Sequence, residues 1–156
     1  MTLPTLQALL LADQVYRDAD TQKHIICGVF SQVFFFAPEI AKSPVTEKAD
    51  EEKRVSINAI RRAGSPYAYV SITEVHGKRR FELRYVDLVD NSVLFKAGFE
   101  VQSPDPLKSI QLTIPLPTLP ITHAGVFVLE LLCEDTLLGS HRVLATLAPN
   151  EDEGES

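Results

Sequence analysis

Apolar positions recur in alternation along most of this chain. From Gly125 to Leu147, Phe127, Leu129, Leu131 and Cys133 alternate with Val128, Glu130, Leu132 and Glu134, and a Gly139-Ser140 kink follows in the second half. A period of two places one apolar row on a buried face, so the segment predicts two strands joined at Glu134-Asp135-Thr136. Phe81, Leu83 and Tyr85 alternate with Glu82 and Arg84 as in a half-buried strand, and Tyr67 to Val75 and Val93 to Phe99 continue the pattern. Ile110, Leu112, Ile114 and Leu116 alternate with Gln111, Thr113, Pro115 and Pro117. Proline has no ladder donor, so this strand belongs at a sheet edge.

The first strands are read from composition rather than from alternation. Leu6 to Tyr16 is nearly continuously apolar, Arg17 to Thr21 turns the chain, and His24 to Phe36 returns. The return is rich in β-branched and aromatic residues, which favours a hairpin over a helix. Between Ala37 and Pro66 the character changes. Ser43-Pro44 with Glu47 reads as a helix start and Gly64 as its stop, so a charged, partly helical insertion is expected at about 42–64. Its sparse apolar residues leave part of it open to disorder. The reading is all-β, an immunoglobulin-like antiparallel β-sandwich of about eight strands. It is expected to form one domain over 1–149, followed by an acidic disordered tail at 150–156.

A chain of 156 residues buries roughly 70% of the surface that its unfolded form exposes, which is enough for a core without metals or disulfides. Lys and Arg number 15 against 21 Asp and Glu, and Glu151, Asp152, Glu153 and Glu155 supply four of those acids. The near-neutral body lacks the clustered cationic face of a nucleic-acid binder. Lys78-Arg79-Arg80, beside His76-Gly77, reads as a solvated hairpin tip. The apolar run Leu6 to Ala12 has no basic residue before it and ends at Asp13, unlike a signal peptide, and it is too short to span a bilayer. A soluble cytoplasmic protein is expected. Cys27 and Cys133 are expected to be two buried free thiols in a reducing compartment.

Several of these segments together resemble a family of small uncharacterised bacterial β-sandwich proteins, a domain of unknown function. The carrying residues are Ala8 to Asp13, Gly28-Val-Phe30, Val70 to Gly77, Leu83 to Leu88, Ser103 to Pro106, His123 to Phe127, Glu130 to Cys133 and Leu138-Gly139. The resemblance implies a β-sandwich and carries no activity, cofactor or site residue. Gly125-Val-Phe127 is also similar to the entry of the penultimate immunoglobulin strand, although Phe127 lacks the hydroxyl with which a tyrosine there bonds the preceding corner.

Catalytic patterns are missing. No serine sits in a Gly-x-Ser-x-Gly setting, both cysteines lie in apolar strands that disfavour a thiolate, and His24, His76, His123 and His141 follow no metal spacing. Asp18, Asp20, Asp87, Asp90 and Asp105 stand in turns and are weak calcium candidates. Calcium needs about six to eight converging oxygens, and aspartate is also a favoured turn residue for its own backbone hydrogen bonds. Tyr67 and Tyr69 are interaction candidates, either forming a recognition patch or packing under the insertion. The expectation is a non-catalytic, cofactor-free interaction or structural module of a bacterial cytoplasm, binding an unknown protein partner or itself. The alternatives are a calcium-dependent or membrane-surface sandwich and an enzyme with a dispersed site. Membrane-surface binding is the less favoured of the partner classes.

Overall fold

A computed structural model describes residues 2–35 and 66–148. The expected insertion at 42–64 and the tail at 150–156 lie outside the described residues. Nine strands form among the described residues: β1 (Thr5–Arg17), β2 (His24–Val29), β3 (Gln32–Phe35), β4 (Tyr67–Thr73), β5 (Gly77–Asp87), β6 (Ser92–Ser103), β7 (Ile110–Pro115), β8 (Gly125–Cys133) and β9 (Thr136–Leu147). No helix occurs among the described residues, hence none long and apolar enough to cross a membrane.

The strands build a four-stranded sheet in the order β2-β1-β4-β7 and a five-stranded sheet in the order β3-β9-β8-β5-β6. A single core cluster joins them. Leu9 and Leu11 of β1 and Ala68, Val70 and Ile72 of β4 meet Phe81, Leu83 and Tyr85 of β5, Phe127, Leu129 and Leu131 of β8, and Val143 and Ala145 of β9. Each set is the inward row that alternation selects, so the apolar periodicity specifies both faces of the sandwich. Tyr85 stacks on Phe127 at 5.6 Å and on Phe95 at 5.2 Å between ring centroids. Its hydroxyl donates to the Pro120 carbonyl at 3.2 Å, tying the segment before β8 to β5. The edge expected from Pro115 is present, because β7 closes the four-stranded sheet.

The return segment after the first turn is not one strand. β2 pairs antiparallel with β1, whereas β3 pairs parallel with β9 in the other sheet. The chain changes sheets at Phe30-Ser31, where the His141 Nε2–H donates to the Phe30 carbonyl at 2.7 Å and the Leu144 N–H to the Ser31 carbonyl at 2.8 Å.

Two further expectations are corrected. Lys78-Arg79-Arg80 is not a hairpin tip, since β4 and β5 belong to different sheets and the three residues lie inside β5. Arg79 shares the inward row of Phe81 and Leu83, is buried, and donates to the Glu134 carboxylate at 3.0 Å and to the Thr2 carbonyl at 3.1 Å. Lys78 and Arg80 are exposed and both pair with Glu100. The cysteines also differ from each other: Cys133 is buried, whereas Cys27 is free and exposed. Cys27 is exposed because β2 leaves the body of the sandwich.

Candidate functional site

The five turn aspartates do not converge. Asp105 follows β6 at the end where Gly77 pairs with Ser103, and Asp87 and Asp90 lie at the other end, where Asp87 pairs with Ser92. An extended strand the length of β5 separates the two ends by roughly 30 Å. Asp18 and Asp20 occupy the β1–β2 turn. Most of these carboxylates are occupied by their own turns. Asp18 accepts from the Thr21 hydroxyl at 2.7 Å and the Asp20 N–H at 3.1 Å, Asp90 from the Ser92 hydroxyl at 2.6 Å and its N–H at 3.0 Å, and Asp105 from the Leu107 N–H at 3.0 Å. Those bonds stabilise the ionised form, the hydroxyl bond most, and hold Asp18 and Asp90 below the usual carboxylate range. Among the described residues no three His, Cys, Asp or Glu side chains gather as metal ligands.

The structure does bring Asp87 and Asp90 beside His123. The Nδ1–H of His123 donates to the Ala124 carbonyl at 2.7 Å and its Nε2–H to the buried Asp87 carboxylate at 2.5 Å, with the ring stacked on Phe127 at 5.3 Å. Both partners only accept, so the imidazolium suits the site better than either neutral tautomer. The Ala124 carbonyl first, and then Asp87, raise the pKa of His123. With both nitrogens donating, neither is placed to take a proton from a substrate. Burial raises the Cys133 thiol, with a further contribution from Glu134. That leaves Cys133 a poor nucleophile.

A different surface emerges from the β1–β2 hairpin. β4 pairs with β1 only as far as Ala12, opposite Tyr67, while β2 pairs with β1 out to Arg17, opposite His24. Tyr69 pairs with Leu10, so a straight β1 would hold His24 roughly 23 Å further along the strand. Yet the His24 and Tyr69 rings lie 5.5 Å apart, and the His24 Nδ1–H donates to Oε1 of Gln111 at 2.7 Å. Gln111 and Tyr69 face away from the core, since their neighbours Leu112 and Val70 face into it. The hairpin therefore folds back across the outer face of the four-stranded sheet.

Gly28 explains where the chain bends. Its φ is +74°, and a Cβ there would stand 2.5 Å from Oδ2, 3.0 Å from Cγ and 3.1 Å from Cβ of Asp13. Only glycine combines that backbone conformation with so close an approach of β2 to β1. Beyond the bend, Val15, Ile26 and His24 turn toward the sheet and are half-buried. Tyr16, its cross-strand partner Ile25, Cys27 and Val29 point away. Tyr16, Ile25 and Val29 are 52%, 50% and 52% exposed.

This geometry decides the tyrosines. Tyr69 is buried beneath the returning hairpin and Tyr67 is half-buried, so neither is the exposed aromatic that one reading of the row anticipated. The apolar stripe instead belongs to Tyr16, Ile25, Cys27 and Val29, residues that the sequence places in a hairpin and of which only Cys27 was expected to be buried. The one signal for it was a glycine inside an otherwise apolar strand. No protein-family model matches this chain, and no curated protein matches it.

Proposed function

We propose that the chain is a non-catalytic protein-interaction module of immunoglobulin-like type that binds through the folded-back β1–β2 hairpin. The observation that carries the reading is the half-exposed row of Tyr16, Ile25 and Val29 on one hairpin face, with the exposed Cys27 between the last two. Isolated exposed apolar residues are ordinary, but a contiguous row on a rigidly braced element is the usual form of a recognition surface. The His24 bond to Gln111 and the Gly28 bend supply that bracing, which lowers the ordering cost of binding. The order β9-β8-β5-β6 supports the immunoglobulin-like assignment by following the G-F-C-C′ arrangement, with β4-β7 as the B-E pair. The occupied nitrogens of His123 and the raised, buried thiol of Cys133 support the non-catalytic part. Two free cysteines agree with a cytoplasmic setting.

The test is affinity capture from the native host with wild-type protein and with a Tyr16→Ala/Val29→Lys variant of unchanged melting temperature. Proteins enriched by the wild type should be lost from the variant. Equal enrichment by both would move the binding surface elsewhere.

A further inference from the structure

Resting on that interaction reading, we propose that the hairpin stripe takes a second copy of this chain, with the two β2 strands pairing antiparallel about a two-fold axis at Cys27. β2 is the edge of the four-stranded sheet, and no described strand lies on its outer side. Its sequence, His24-Ile-Ile-Cys-Gly-Val29, contains no proline, lysine, arginine or carboxylate. Two other described edges are protected: β7 carries Pro115, and β6 carries Lys96 and Glu100. An unblunted edge is a template for strand addition, and a two-fold axis lets one strand serve as both template and addition.

The exposed side chains fix the register. An axis through Cys27 sets Ile25 opposite Val29 of the second copy, Cys27 opposite itself, and Ile26 opposite Gly28, which has no side chain of its own and is flanked by Asp13. The exposed apolar row is then continuous across both copies. An axis through Ile26 would instead set Val29 opposite Lys23 and break that row. β2 itself has no formal charge and the charged residues of the turn lie at its far end, so the Asp13 carboxylate beside Gly28 is the charge nearest the axis, and it is exposed to solvent screening.

The available area sets the strength. The exposed parts of Tyr16, Ile25, Cys27 and Val29 amount to roughly 300–400 Å² per copy, or about 600–800 Å² in total, below the 1,200 Å² or so at which stable complexes begin. The dimer is therefore weak and concentration-dependent. Directly opposed residues of an antiparallel pair have Cα atoms about 4.5–5.5 Å apart, within disulfide range. Diamide can thus trap the dimer. As the Cys27–Cys27 S–S bond forms, its N=N bond takes up the two electrons and two protons that the thiols release.

Sedimentation equilibrium of the full chain under reductant, from 10 μM to 1 mM, should show a monomer–dimer equilibrium. Ile25→Lys should remain monomeric with its melting temperature unchanged. Cys27→Ser should dimerise like wild type under reductant. Diamide should link the wild type into a covalent dimer, and should not link Cys27→Ser or, at the same concentration, Ile25→Lys. A wild-type monomer at 1 mM, a dimer that survives Ile25→Lys, or a dimer that diamide fails to link would each overturn the proposal. If the chain is monomeric while Tyr16→Ala/Val29→Lys still loses its captured proteins, the hairpin serves a different partner and only self-association fails. If captured proteins are also unaffected, the interaction reading fails as well.

Discussion

Gly28→Ala tests whether the hairpin bend depends on a missing side chain. At a φ of +74° an L-residue pays about 1–2 kcal/mol for left-handed backbone. The new methyl would also meet Asp13. The Oδ2 at 2.5 Å can swing into solvent because Asp13 is exposed, but the Asp13 Cβ at 3.1 Å is fixed by the strand and the two strands must part by a few tenths of an ångström. Overpacking of this kind typically costs about 1 kcal/mol or more. Against this, alanine reduces the entropy of the unfolded chain, which returns about 0.4–1 kcal/mol. The net expectation is a loss of about 2 kcal/mol, or roughly 4–8 °C in melting temperature for a domain of this size.

Urea unfolding followed by circular dichroism measures that loss, with Gly98→Ala as the control. A Cβ at Gly98 meets only the Phe81 carbonyl at 3.8 Å, and its backbone is not left-handed, so that variant should match or slightly exceed the wild type. Because the hairpin lies outside the core, part of the strain can be released by local opening, seen as faster amide exchange across residues 13–17 and 24–29 while β5 and β8 stay protected. An unchanged midpoint combined with unchanged exchange in both hairpin strands would refute the bend as described.

Three further outcomes are expected. Iodoacetamide should alkylate Cys27 in the native protein and Cys133 only after unfolding, read by intact mass; equal labelling of both would contradict their different burial. Asp135 has a φ of +68° in the two-residue β8–β9 turn, so Asp135→Gly should raise stability by about 0.5–1 kcal/mol, whereas Glu134→Gly, which also removes one carboxylate partner of the buried Arg79, should lower it. The raised pKa of His123 means that its stabilisation is fully present below about pH 6.5 and is lost as pH rises through the folded value, so the urea midpoints of wild type and His123→Asn should differ more at pH 5.5 than at pH 9. Equal gaps at the two pH values would show that the imidazolium bonds contribute nothing.

How much of this was legible depended on whether the deciding interaction was local. The inward rows of β5 and β8 follow from Phe81-x-Leu83-x-Tyr85 and Phe127-x-Leu129-x-Leu131, because alternation against one core is a local rule. The edge at Pro115 follows from the absent donor of one residue. Arg79 was legible by the same rule, since counting back two from Phe81 places it on the inward row; a weight on charge over period hid it. The sheet change at Phe30-Ser31 had no comparable marker. Residues on both sides are apolar and strand-forming, and the break is fixed by His141 and Leu144 from a strand far along the chain.

The hairpin shows the same division within a single element. Its existence was readable from the composition of Leu6 to Phe36, but which of its apolar residues are covered depends on where it goes beyond Ala12. Past that point no β4 residue pairs with β1, and the path is set by a remote bond, His24 to Gln111, together with the close approach of Gly28 to Asp13. The same fold-back exchanges two exposures: it covers Tyr69, one of the two tyrosines that the sequence offered as interaction candidates, and leaves Ile25, Cys27 and Val29 uncovered. Burial expected from local hydrophobicity was thus inverted by a tertiary contact, and the candidate surface lies at the residues where that inversion occurs.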